Sequence, residues 1–210
     1  LAAELRQPYF LSPRNNLVLN TFAERQSEPR LFQRTGQGGR LVVSRRAAAR
    51  ELLTATLDVE HRETVAAPAL YCAAFAVCTP EDIEELGRFR WRNGLGASWL
   101  RDAGNRVVNP TAGYTLRANT LWSSPLLLSD YDFLRAAVEG AIYRQLRPGW
   151  VLAGFLRVGS FITRAGIGTT DFIPPEERFY AGGASSVRGY GRSRLGPGIW
   201  LYEGSETAID

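Results

Sequence analysis

The chain has 210 residues, 45% apolar and 22% charged, with a formal net charge of +4. These proportions exclude a disordered or fibrous class and suit one domain with a substantial core. All 25 basic residues are arginine, which removes lysine Schiff-base chemistry and a Walker-type phosphate lysine, and they are spread along the chain instead of forming the basic patch that nucleic acid requires.

In chain order, the recurring pattern is period-two alternation over segments of about eight to twelve residues, which predicts strands. Residues 1–7 (LAAELRQ), 16–24 (NLVLNTFAE) and 39–45 (GRLVVSR) carry weak versions of it. In 51–61 one face holds Leu53, Ala55, Leu57 and Val59 and the other Thr54, Thr56, Asp58 and Glu60. His61, the single histidine, continues the apolar face at the strand end and reads as an interfacial or loop residue. The most apolar stretch, 65–77, contains Pro68 and falls short of the roughly 20 residues of a transmembrane helix. Cys72 and Cys78 fit a small loop-closing disulfide if the site is extracytoplasmic, whereas a zinc site would need further ligands.

Clear alternation resumes downstream. Residues 89–99 set Phe89, Trp91, Leu95, Ala97 and Trp99 against Arg90, Arg92, Gly94, Gly96 and Ser98. Residues 113–122 set Tyr114, Leu116, Ala118 and Trp122 against Thr115, Arg117 and Asn119. Residues 133–145 set Leu134, Ala136, Val138 and Ile142 against Arg135, Glu139 and Gln145, and 150–162 repeats the pattern weakly. Short links (SPRNN, NPTAG, RPG) roughly alternate with long ones (65–86 and SSPLLLSDYD).

Alternation alone suits a soluble sandwich or barrel with its apolar face inward. Two details favour the reverse. Aromatic residues bracket single apolar faces eight positions apart, as in Trp91 and Trp99 or Tyr114 and Trp122, a height of about 20 Å once a strand is tilted. The opposite faces carry Arg90, Arg92, Arg117, Arg135, Glu139 and Arg157 mid-strand, which suits a wide, wet lumen. The expected fold is an all-β antiparallel transmembrane barrel, present as a partial barrel over 1–163 followed by a long loop over 164–210. About eight strands around so polar an interior imply missing strands, so the chain reads as a piece of a larger barrel.

Residues 174–197, PPEERFYAGGASSVRGYGRSRLGP, resemble the signature loop of the BamA and TamA family of outer-membrane assembly proteins (the bacterial surface antigen superfamily), with Val187, Arg188, Gly189 and Tyr190 as its V-R-G-[FY] tip. Residues 99–119, WLRDAGNRVVNPTAGYTLRAN, resemble the same family's turn between two mid-barrel strands, with Asp102, Asn109, Pro110 and Gly113 at its typical positions. The closer likeness is to the TamA branch. The resemblance implies a barrel of about sixteen strands in the bacterial outer membrane, preceded by periplasmic transport-associated domains, with the loop folded into the lumen. It also implies a non-catalytic function without cofactors: insertion or export of β-rich polypeptides, in contact with lipid and with periplasmic or inner-membrane assembly partners.

The glycines of the loop, Gly182 and Gly183 among them, permit positive φ and tight packing. Arg188 can latch the loop through charge-assisted bonds to a barrel-wall carboxylate. The family's acidic partner lies on strands after the loop, and within this sequence Glu139 is the best lumen-facing substitute. Two rival functions remain open: an anion-conducting porin with an arginine-lined lumen, and a secreted β-sandwich that binds a ligand or acts as an enzyme. For catalysis, no serine or cysteine has a nucleophile elbow, and Glu176 and Glu177 are adjacent, which on an extended chain points them apart.

Overall fold

The computed structural model describes residues 1–28, 32–66, 87–163, 166–167, 173–184, 186–193 and 195. The expected Cys72–Cys78 pairing lies outside the described residues.

Among the described residues, nine strands form one sheet: β1 (Ala2–Pro8), β2 (Asn15–Glu28), β3 (Phe32–Ala48), β4 (Glu51–Ala66), β5 (Phe89–Asp102), β6 (Gly113–Ser123), β7 (Phe133–Arg147), β8 (Trp150–Thr163) and the two-residue β9 (Gly166–Ile167). Their order in the sheet is their order in the chain, β1 through β9. The pairings of β1 with β2 and of β5 through β9 are antiparallel, so each is a hairpin step of a meander. All eight expected strands are present, most of them longer than their alternation suggested.

β3 begins seven residues before its expected start because its glycines belong to the strand. A Cβ on Gly38 would lie 2.3 Å from the Val59 carbonyl oxygen, so glycine there permits a close approach to β4. β2 and β4 run past their expected ends through polar residues that the alternation of apolar groups does not register.

The faces are inverted relative to a water-soluble sheet. Along β4, Leu53, Leu57, Val59 and Val65 are 38–51% exposed, whereas Asp58, Glu60, Arg62 and Thr64 are at most 8% exposed. A soluble sandwich would bury the first set and wet the second. The exposed aliphatic and aromatic row continues on the matching faces through Trp91, Leu95, Trp122, Val138 and Ile142. Strand register keeps that row coherent: Leu95 lies opposite Trp122, Ala118 opposite both Trp99 and Val138, and Tyr114 opposite Ile142.

The chain divides into two compact units. One comprises Leu1–Ala23, Gln37–His61 and Trp91–Thr169. The other comprises Glu24–Gly36, Arg62–Arg90 and Thr170–Asp210, and it contains the signature loop together with the strand ends that hold it.

Candidate functional site

The loop is anchored at its base by a buried ion cluster. Pro174, Pro175, Glu176 and Glu177 form a 3₁₀ turn, in which Pro175 fixes φ at the first helical position and the Glu177 N–H donates to the Pro174 carbonyl at 3.0 Å. The turn corrects the extended geometry expected for this pair, because both carboxylates converge on one guanidinium. Arg62 Nη2 lies 3.0 Å from Glu176 Oε1 and 3.1 Å from Glu177 Oε1. All three side chains are at most 5% exposed. Thr64, two residues along the same face of β4, donates its hydroxyl to Glu176 Oε1 at 2.8 Å.

Around this cluster the loop is tied at further points. The Tyr180 hydroxyl donates to the Pro175 carbonyl at 2.7 Å, and its ring lies 6.5 Å from that of Phe32. Burial pushes this hydroxyl up to about 12, against its ordinary 10.0, with Arg178 opposing and Glu176 and Glu28 adding to the shift. Arg178 Nε donates to the Ile173 carbonyl at 3.0 Å. Glu28 at the end of β2 accepts from Arg192 at 2.9 Å and from the Ser193 hydroxyl at 3.3 Å.

The tip is a narrow hairpin. Ala181 bridges Leu195, and the Gly183 N–H donates to the Tyr190 carbonyl at 2.9 Å. Within it Val187, Arg188, Gly189 and Tyr190 make a turn closed by Tyr190 N–H donating to the Val187 carbonyl at 3.4 Å. Gly189, third of the four, has φ +97°, the conformation a type II turn demands of that position. Gly182 and Gly183 are likewise at positive φ. Arg188, second of the four, is exposed, and among the described residues no carboxylate pairs with it. Glu139, the substitute partner expected from the sequence, is occupied: it accepts from Arg117 at 3.1 Å and from Arg157 at 2.7 Å.

The second sequence-predicted group, the turn between β5 and β6, closes on itself. Asp102 Oδ1 accepts from the Gly104 N–H at 2.9 Å, and Asp102 Oδ2 accepts from Arg50 at 2.5 Å. Asn105 clamps the far side, its Oδ1 accepting from the Thr111 and Ala112 N–H groups at 3.0 and 3.2 Å. Asn109 is in the left-handed region, followed by Pro110. Gly113 has φ +105°, and a Cβ there would lie 2.2 Å from the Ala103 carbonyl oxygen. Sequence reasoning named Asp102, Asn109, Pro110 and Gly113 but missed Arg50 and Asn105, which bond into the turn.

It also missed the pairing on the polar face. Asp58 bonds both Arg40 and Arg92, the latter at 3.2 Å, while Glu60 lies 3.4 Å from Arg40 and 3.8 Å from Arg92. Arg117, Glu139 and Arg157 stand opposite one another on β6, β7 and β8. Of the mid-strand arginines expected to line an anion path, Arg92, Arg117 and Arg157 are thus paired with carboxylates across strands. His61 stacks on Trp91, ring centroids 4.7 Å apart, on the exposed apolar face. The arrangement is one of structural ion pairs that hold a loop and a wall.

The chain is 34% identical over 99 residues to the outer membrane protein assembly factor BamA of Nitratidesulfovibrio vulgaris (strain Hildenborough), a match covering 47% of this chain and 12% of that protein. It superimposes on the crystal structure of BamA from Haemophilus ducreyi lacking POTRA domains 1–3 with a TM-score of 0.74 at 18% identity, covering 93% of this chain and 38% of that one. The chain therefore spans a minor part of the length of either relative, and the second likeness speaks to the fold: a part of an outer-membrane β-barrel. A family model described as the Omp85 superfamily domain matches residues 1–208, and the chain accordingly belongs to the Omp85 superfamily of the bacterial outer membrane.

Proposed function

We propose that this chain is the loop-bearing part of an outer-membrane assembly barrel of the BamA and TamA type, which inserts or exports other β-rich polypeptides without catalysis. The observation that carries this reading is the signature loop itself: its base is held by Arg62, Glu176 and Glu177 on the polar face of β4, while its tip turn presents Arg188 outward. A held loop with an exposed guanidinium at its tip is suited to latch on a carboxylate of strands beyond the loop, and Arg188, Gly189 and Tyr190 act as that latch. Unfolded β-barrel or exported polypeptides are the substrates, and periplasmic or inner-membrane factors the partners.

Against the anion-porin alternative, Arg40, Arg92, Arg117 and Arg157 on the polar face are each engaged by a carboxylate, Asp58, Glu60 or Glu139. The test of the latch is Arg188→Ala in the full-length protein. Loss of heat-modifiable mobility and of substrate insertion is expected, and unchanged behaviour in both would remove the latch.

A further inference from the structure

The link between β6 and β7, Ser124–Asp132, departs from the habits of a loop that faces water. Its centre, Pro125–Leu127, is a 3₁₀ turn followed by Leu128 in the left-handed region, and Leu126 and Leu128 are 83% and 82% exposed. The backbone beneath them is tightly satisfied. The N–H groups of Leu126, Leu127 and Leu128 donate to Ser124 Oγ (3.4 Å), the Ser124 carbonyl (2.9 Å) and the Pro125 carbonyl (2.9 Å). Pro125 has no N–H to satisfy. The carbonyls of Leu127 and Leu128 both accept from Asn93 Nδ2, at 2.8 and 2.9 Å.

Asn93 also fixes where the turn sits. By strand alternation it shares the face of Trp91 and Leu95, the face exposed along the apolar row. The turn is therefore clamped onto that face at the level of the loop-end aromatic girdle, between Trp91 and Leu95, the latter opposite Trp122. Two further ties hold its flanks: Asp130 exchanges hydrogen bonds with the Trp91 backbone (2.7 and 2.9 Å), and the fully buried Ser123 hydroxyl bonds Asn93 O and Ser129 Oγ, both at 2.8 Å. Paired backbone, exposed aliphatic side chains and continuity with the lipid-facing row are what a segment entering hydrocarbon requires, since unpaired polar groups there are costly.

We infer that Leu126 and Leu128 form a spur that inserts into the acyl chains of the membrane leaflet at the loop end, fixing the height of the β5–β7 rim in the bilayer. The inference rests on the transmembrane reading of the sheet.

The test uses full-length protein with its cysteines, Cys72 and Cys78 included, replaced by Ser. An environment-sensitive fluorophore is attached at Leu128→Cys or, as reference, at Val138→Cys on the exposed face of β7. Protein that keeps its heat-modifiable mobility is reconstituted into phosphatidylcholine vesicles or their acyl-brominated counterparts. A blue shift and bromolipid quenching at position 128 comparable to that at 138 are expected, both reduced when Asn93→Ala is added. Quenching at 138 without quenching at 128, whatever the emission wavelength there, overturns the spur alone. Absence of quenching at both positions overturns the transmembrane reading and the spur with it.

Discussion

Arg62 of β4 meets Glu177 at 3.1 Å across 115 residues of sequence, with both side chains almost wholly removed from solvent. The same guanidinium takes Glu176 at 3.0 Å, so one arginine on the strand face carries both carboxylates at the base of the signature loop.

Removing that arginine takes from two buried carboxylates the guanidinium they share. Arg62→Ala is expected to destabilise the docked loop by about 3–5 kcal/mol, the usual consequence of breaking a buried ion pair. A triple variant, Arg62→Met with Glu176→Gln and Glu177→Gln, should recover much of the loss because the three buried charges are removed together. Limited proteolysis of the full-length barrel between Gly182 and Arg192 measures both; equal cleavage of the two variants would rule out the ion cluster as the anchor.

Tyr180 makes the docking pH-sensitive. Its folded value of about 12 lies above the ordinary 10.0, so the folded state holds the phenolic proton more tightly. The associated stability is complete below pH 10 and is lost as pH rises from about 10 to 12. Loop cleavage followed against pH should rise across that window, and Tyr180→Phe, which cannot ionise there, should flatten the rise.

Gly113 is expected to be far less replaceable than Gly149, although both have positive φ. At Gly149 a Cβ meets nothing within 4 Å, so Gly149→Ala should cost about 1–2 kcal/mol for the left-handed backbone alone. At Gly113 the Cβ would also lie 2.2 Å from the Ala103 carbonyl oxygen, so Gly113→Ala should lose clearly more. Urea titration of the two full-length variants in detergent micelles compares them, and similar midpoints would contradict the steric argument.

Glu139 pairs with two arginines at once, Arg117 and Arg157. Glu139→Gln should leave both guanidiniums uncompensated on the polar face and shift residual conductance of the full-length barrel toward anions. The shift should fade as salt approaches 1 M, where the screening length is about 3 Å. Unaltered selectivity at low salt would place this triad away from the ion path.

How far the sequence reaches is clear from particular residues. Alternation assigns a face to every side chain of a regular strand, so Leu53 against Thr54, and Trp91 against Arg92, were legible from period alone. The positive φ of the loop glycines was legible too, as Gly182, Gly183 and Gly189 illustrate. Strand ends were less so, because β3 starts among polar and glycine residues whose only requirement is a close approach to β4. Asn93 could not be read at all: an asparagine on an apolar face has no meaning until the Leu127 and Leu128 carbonyls arrive from 34 and 35 residues away.

By itself, then, the chain settles which chemistry each face presents, since neighbouring Cβ atoms must point to opposite sides of a pleated strand. What it leaves open is which charge meets which. Arg40 with Asp58, Arg62 with Glu177 and Arg117 with Glu139 depend on strand register and on the path of the loop, quantities set by the summed packing of distant segments. Only the tertiary structure sets carboxylates against Arg40, Arg62, Arg92, Arg117 and Arg157 on the polar face, and leaves Arg188 exposed at the tip of a held loop.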